Sequence, residues 1–252
     1  MKVVFWNGVS VSDDVTNYMA AVGTILSLEF HCEVVLGSNY ISNHMLQDCF
    51  LCKMKEDGIA HTPYCFLHDS SEYSNALWNM RKNRQGNIHE KPMEGVTILF
   101  PPDVGENKMF YYEIPQNTFY LLVIAEGNHL SFQCALEEAD IIIVFLPQNE
   151  NEIHNFFSRF SAIIPKTMII LEEKTRDNRH LYCNEMSKYG IIKDNIGNIN
   201  KNSNFTNACV EGKLEAFIKE NRATKSMNYS FLYGIRRIAR LLYERNFGKK
   251  GE

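Results

Sequence analysis

Three sets of residues in this chain could do chemistry. The first is the turn Asn7 to Asp14, NGVSVSDD, between a continuous apolar run, Val3 to Trp6, and a segment from Thr16 in which Met19, Ala20, Val22, Gly23, Ile25 and Leu26 recur at helical spacing. A buried strand feeding a helix through such a turn is the unit that cradles phosphate in nucleotide-binding α/β proteins. The second is Cys49-x-x-Cys52 with His61 and Cys65, a donor set of the type that holds tetrahedral zinc. The third is the set Arg236, Arg237, Arg240 and Arg245 on a segment whose apolar residues Phe231, Ile235, Ile238 and Leu242 step by four, three and four. A basic side of that kind meets a membrane surface or an acidic partner.

Each set also has a plainer reading. Ser12, Asp13 and Asp14 are suited to capping the free N–H groups and positive end of a helix, and their carboxylates repel phosphate. At ~4 Å and an effective dielectric near 20, each carboxylate opposes one phosphate charge by about 4 kcal/mol. Cys49 and Cys52 flank Phe50 and Leu51 and fit a buried helix face, and no glycine-rich knuckle accompanies them, so no metal is expected. The last helix needs its apolar stripe for packing, and its arginines then form a solvated rim.

The elements that position these residues read as one α/β domain over residues 1–245, with a three-layer, mostly parallel twisted sheet and helices on both faces. Apolar runs at Cys32–Leu36, Gly95–Phe100, Phe119–Ile124, Ile141–Leu146 and Lys166–Leu171 read as further strands. Helices are expected at Asn149–Phe160, Leu181–Tyr189 (ended by Gly190), Glu211–Glu220 and residues 229–245, and a helical insertion with Leu77 and Trp78 as core contacts over residues 40–94. The 252 residues carry a net charge of −4 with 45% hydrophobic content, which does not favour a nucleic-acid partner. Seven cysteines without a paired framework fit a reducing cytoplasm. No apolar run approaches the ~20 residues of a membrane span, and the start does not read as a secretion signal. A Gly-x-Ser-x-Gly elbow and a Gly-x-Gly-x-x-Gly fingerprint are absent, and His129 reads as a loop residue.

The order of these segments resembles the ParA/MinD-type P-loop ATPases, in which the first strand enters Lys-Gly-Gly-x-Gly-Lys-Thr-Thr. Laid on that pattern from Trp6, the first lysine falls on Val9, the glycines on Ser10, Val11 and Asp13, and the variable residue on Ser12. The phosphate lysine falls on Asp14, the magnesium-binding threonine on Val15 and the last threonine on Thr16. The resemblance puts the family's other nucleotide positions at Gly37 and Asn39 (paired aspartates), Ala125 (a magnesium-shell aspartate), Glu172 (a base-reading asparagine), and Asn200 and Lys201 (a proline and tyrosine near the base). Asn195 to Cys209 is similar to a stretch in ParA-like proteins encoded with pilus and secretion machinery, keeping Phe205, Ala208 and Cys209.

Within the family the sequence looks most like the atypical TadZ-like proteins of Tad pilus systems. The resemblance implies a pseudo-ATPase without bound cofactor: a cytoplasmic homodimeric scaffold that localises or assembles a pilus or secretion apparatus, at the inner face of the membrane if the last helix touches lipid. The alternative is a weak ATPase, using ATP and Mg²⁺, whose site is completed by a partner.

Overall fold

The computed structural model describes residues 1–8, 13–38, 49, 96–99, 118–125, 129–173 and 179–248. The expectations for Val9, Ser10, Val11, Ser12, Asn39, Cys52, His61, Cys65, the helical insertion (Cys49 apart) and the charged loop after residue 173 lie outside the described residues.

Seven strands form one sheet: β1 (Lys2–Asn7), β2 (Glu33–Ser38), β3 (Val96–Leu99), β4 (Thr118–Ile124), β5 (Ile141–Pro147), β6 (Thr167–Glu173) and β7 (Ile196–Asn200). Their spatial order is β3-β2-β4-β1-β5-β6-β7, and every pairing is parallel. β1 lies between β4 and β5, with Phe5 opposite Val123 on one side and Ile143 on the other. Strands covered on both faces need apolar residues on both, which is why β1, β4 and β5 read as unbroken hydrophobic runs.

One face carries α1 (Asp13–Phe30), α5 (Ser203–Val210), α6 (Leu214–Glu220) and α7 (Tyr229–Phe247), which share a core with Phe5, Leu121, Ile143 and Ile170. The opposite face carries α2 (His129–Glu138), α3 (Glu150–Arg159) and α4 (Arg179–Lys188), packed on Val4, Trp6, Val144 and Leu171. The architecture is therefore a three-layer α/β fold. Trp6 marks the second core, with ring centroids 4.9 Å from Phe132 and 4.7 Å from Phe160.

α1 is the central helix. From Val15 to Ser27 every residue is buried, because β2 and β4 cover one side and α7 the other. Its polar members are accommodated within the helix or by neighbours: the Thr24 hydroxyl donates to the Ala20 carbonyl at 2.9 Å. α4 ends as expected at Gly190, whose φ of +85° is a left-handed closure.

The helix expected over Glu211–Glu220 begins instead at Leu214. Gly212 turns left-handed at φ +66°, and the Lys213 N–H closes back on the Ala208 carbonyl at 2.7 Å, so α5 stops and α6 starts afresh. Among the described residues no helix is long and apolar enough to cross a membrane.

Candidate functional site

In an open parallel sheet the ligand-binding crevice lies beyond the carboxyl ends of the strands, where chain connections diverge to either side. β1 occupies that place here, and the turn after it leads into α1. The helix begins at Asp13, so Asp14 stands in its first turn, where the unpaired N–H groups favour a carboxylate. Val15 and Thr16 follow and are both buried, 1% and 7% exposed.

The residues that the sequence places at the other strand ends are spread along the same edge. Gly37 is buried near the end of β2, and Ala125 is half-buried directly after β4. Glu172 is half-buried in β6, while Asn200 closes β7 and Lys201 follows it in an exposed position.

Two of these positions meet. The Lys201 ammonium donates to Asp14 Oδ2 at 3.2 Å, across 187 residues of sequence. Asp14 holds the Lys201 ammonium above its ordinary pKa, first by the hydrogen bond and then by its charge, and Glu172 adds to the effect. The pair is open to water on the lysine side, with Lys201 68% and Asp14 28% exposed, so it stabilises the fold only by about 0.2–1 kcal/mol. Its consequence for the site is larger: the carboxylate in the first turn of α1 is already engaged with a cation of the same chain.

Beneath the pair lies an aromatic stack that sequence reading did not identify. Tyr18, one turn beyond Asp14, lies nearly parallel to Phe205 of α5, with centroids 5.8 Å apart, and to Phe145 of β5 at 5.3 Å. Phe205 also packs 4.6 Å from Phe231 of α7. Burial raises the Tyr18 phenol far above its ordinary pKa, and the nearby charges of Asp14 and Glu172 raise it further. The phenol is thus neutral at any physiological pH, a packing group and not a base.

Phe205, Ala208 and Cys209 are all buried, as anchors of the loop before them. Cys209 lies against Cys49, and hydrogen bonding between the two thiols followed by burial pushes the Cys209 pKa strongly upward. Cys49 in turn donates to Asn17 Oδ1 at 3.1 Å. Among the described residues no group of three or more His, Cys, Asp or Glu side chains could hold a metal ion.

The loop that presents Lys201 is held by asparagines. Asn202 caps α5, its Oδ1 accepting from the Phe205 N–H at 2.9 Å, and its Nδ2 donates to Asn228 Oδ1 at 3.0 Å. Asn228 donates onward to Asn221 Oδ1 at 3.0 Å. The only trace of this network in the sequence is the asparagine-rich run after Ile199.

The arginines of α7 separate. Arg236 donates to Glu29 Oε1 at 3.0 Å, Arg245 donates to Asn195 Oδ1, Arg237 is half-buried and Arg240 is exposed.

No protein-family model matches the chain, and no curated protein matches its sequence. Solved structures do match its fold over nearly the full length. The septum site-determining protein MinD of Pyrococcus horikoshii OT3, complexed with Mg-ADP, superposes with a TM-score of 0.67 at 13% identity, covering 100% of both chains. A putative plasmid partition protein of Borrelia burgdorferi B31 bound to AMPPNP gives 0.60 at 14% identity, covering 97% of this chain and 99% of that one. A ParA family ATPase of Chlorobium tepidum TLS gives 0.58 at 16% identity, covering 94% and 98%. At such identities the likeness is one of architecture, and it agrees with the parallel seven-stranded sheet and with helices on both faces: this chain has the fold of the ParA/MinD-type P-loop ATPases.

Proposed function

We propose that this chain is a ParA/MinD-fold scaffold that holds no nucleotide on its own. The observation that carries the reading is the 3.2 Å ion pair between Asp14 and Lys201. The resemblance assigns these two positions to the phosphate lysine and to a neighbour of the base, so a bound nucleotide would have to part them. A triphosphate seated there would face the Asp14 carboxylate, and the residue in the magnesium-binding place, Val15, is apolar and buried. The residues described do not fit a magnesium triphosphate. Gly37 and Ala125, which carry no side-chain oxygen, support the same conclusion.

What remains is a rigid three-layer body able to hold other proteins. With the resemblance to the TadZ-like proteins, this supports a homodimeric, cytoplasmic scaffold that localises or assembles a Tad-type pilus or secretion apparatus. Isothermal titration of the full chain with MgATP tests the nucleotide part of the proposal. No heat above dilution is expected; micromolar binding with turnover would refute it. Light scattering on the eluting protein should give twice the 29.2 kDa chain mass.

One observation favours a second reading, a weak ATPase completed by a partner: the fold neighbours include proteins bound to Mg-ADP and to AMPPNP. That reading needs a cation supplied in trans near Asp14. Phosphate release that rises with the square of protein concentration would support it, and a flat background at all concentrations would exclude a second copy of this chain as the donor.

A further inference from the structure

α7 closes one face of the fold, with Leu232, Ile235, Ala239 and Leu242 buried. At about 100° per residue, Tyr229, Tyr233, Arg237, Arg240 and Glu244 fall within about 80° of arc on the opposite side of the helix. Tyr233 is 59% exposed, Arg240 and Glu244 are exposed, and Tyr229 and Arg237 are half-buried at the two margins of the arc. This outward stripe runs about 22 Å along the helix.

Its composition is not that of a plain solvated face. The Tyr229 and Tyr233 rings lie with centroids 6.2 Å apart, and tyrosine and arginine are the residue types that anchor protein interfaces. Among the described residues neither Arg237 nor Arg240 makes an ion pair, whereas Arg236, on the flank of the helix, is tied to Glu29. Glu244 is the one carboxylate on the stripe and stands at its far end. The half that bears the tyrosines is therefore aromatic and cationic, with no acid of its own to neutralise it.

A cavity of about 360 Å³ lies beside this part of α7, against β6 and β7, and Tyr233 and Arg237 border it. Its floor, Met168 and Ile170, is 1% and 0% exposed, and Asn200 at its edge belongs with the strand ends. What a partner can reach is the outer face of the helix.

Tyr229, Tyr233 and Arg237 follow at steps of four, and so form one of the raised rows that a second helix takes between its own rows. Charge selects that helix. Two copies of this chain packed through the stripe would double an excess of cations, two arginines to one glutamate in each chain. A partner with the opposite charge removes the excess. We propose that the outward stripe of α7 docks an acidic amphipathic helix of a partner protein. The partner's carboxylates accept hydrogen bonds from Arg237 and Arg240, and its apolar row lies against Tyr229 and Tyr233. This gives the scaffold reading a docking surface and a partner chemistry, and rests on that reading.

The probe is a synthetic alanine-based helical peptide of about twenty residues, long enough to hold its helix, with Glu and Leu on adjacent four-residue rows. A second peptide carries Gln for Glu, and a third carries Lys for Glu. Fluorescence anisotropy with the full chain should show the Glu peptide binding, with affinity falling as salt rises, and the Gln peptide binding at least about fivefold more weakly. The double variant Arg237→Glu with Arg240→Glu should bind the Glu peptide at least about tenfold more weakly than the wild type and should take up the Lys peptide instead. Tyr233→Ala should weaken the Glu peptide by at least about tenfold, through loss of a central ring. All three positions lie on the outward stripe, and circular dichroism verifies that each variant is folded. No binding of the Glu peptide, equal binding of the Gln peptide, or binding unchanged in the folded double variant overturns the proposal. Two other occupants would overturn it as well. A wild-type dimer that the double variant turns into monomer on light scattering makes the stripe a contact between copies. Adsorption to vesicles of phosphatidylserine and phosphatidylcholine that the double variant loses makes it a lipid surface. The peptide titrations contain no nucleotide, so their failure is told apart from failure of the scaffold reading, which the MgATP titration decides.

Discussion

Reversing the charge at Asp14 offers the most direct test of the proposal that its carboxylate keeps a triphosphate out. Two unit charges ~4 Å apart interact by about 1 kcal/mol in water and about 4 kcal/mol at an effective dielectric of 20. With its side chain 28% exposed, Asp14 sits between those limits. Replacing repulsion by attraction of the same size changes the interaction with the nearest phosphate charge by about 2–8 kcal/mol, so affinity should rise at least about thirtyfold. Lys201 would then face a second cation in place of its 3.2 Å partner, so the variant to make is Asp14→Lys with Lys201→Ser. The assay is thermal denaturation with and without MgATP. At a ligand concentration 100 times Kd, binding stabilises by about 2.7 kcal/mol, which for a chain of this size corresponds to roughly 5–11 °C in Tm. The wild type should shift by under about 1 °C and the double variant by several degrees, with Asp14→Asn in between. A wild-type shift as large as that of the variant would refute the reasoning. So would a folded double variant that gains nothing, since the carboxylate would then not be what excludes the ligand.

Three further outcomes follow from the packing. Phe205→Ala removes a ring only 1% exposed and packed among Tyr18, Phe217 and Phe231, and should cost about 3–5 kcal/mol in denaturant-induced unfolding. Gly8→Ala would place a Cβ 2.7 Å from Leu146 Cδ2 and 2.9 Å from Val144 Cγ1, and the forced repacking should cost about 1–3 kcal/mol in the same measurement. Burial pushes the Cys32 thiol up to about 11, so the folded state retains its proton longer than the unfolded chain does. The stability this contributes is complete below the unfolded pKa near 9 and is lost as pH rises towards 11; Tm measured across that window should fall less steeply in Cys32→Ala.

Most of the sheet could be read from the sequence because a doubly covered parallel strand leaves little choice of residue. Val3 to Trp6, Phe119 to Ile124 and Ile141 to Leu146 are apolar at every position, and each lies within an observed strand. α4 was legible at its end because Gly190 is both the break in the pattern and the left-handed residue. The break between α5 and α6 was missed because Glu211 to Glu220 has acceptable helical composition, and only the backbone at Gly212 shows that the chain turns there. The candidate positions could be set out from the sequence one strand end at a time. What spacing could not supply was which ends meet, since Asp14 and Lys201 are 187 residues apart and Glu29 and Arg236 are 207 apart. Such pairs depend on the order of strands and on how α7 crosses α1, neither of which leaves a local periodicity.

The arginines of the last helix show the same limit from another side. Counting four arginines in ten residues yields a basic surface, but an α-helix advances about 100° per residue, so Arg236 and Arg240 lie about 40° apart while Arg245 is about half a turn from Arg236. The contacts follow that geometry. Arg236, with its side chain 16% exposed, is drawn against α1 by Glu29, and Arg245 reaches Asn195 before β7. Arg237 turns to the wall of the cavity, which leaves Arg240 as the one exposed member of the set. A membrane surface draws in basic residues by about 1 kcal/mol each. With two of the four charges already engaged within the fold, the attraction from Arg237 and Arg240 is about 2 kcal/mol, too little to hold a folded domain on a bilayer without a second anchor. The basic helix is therefore better understood as the brace that fixes α7 across α1 and β7, and the same crossing opens the cavity beside it.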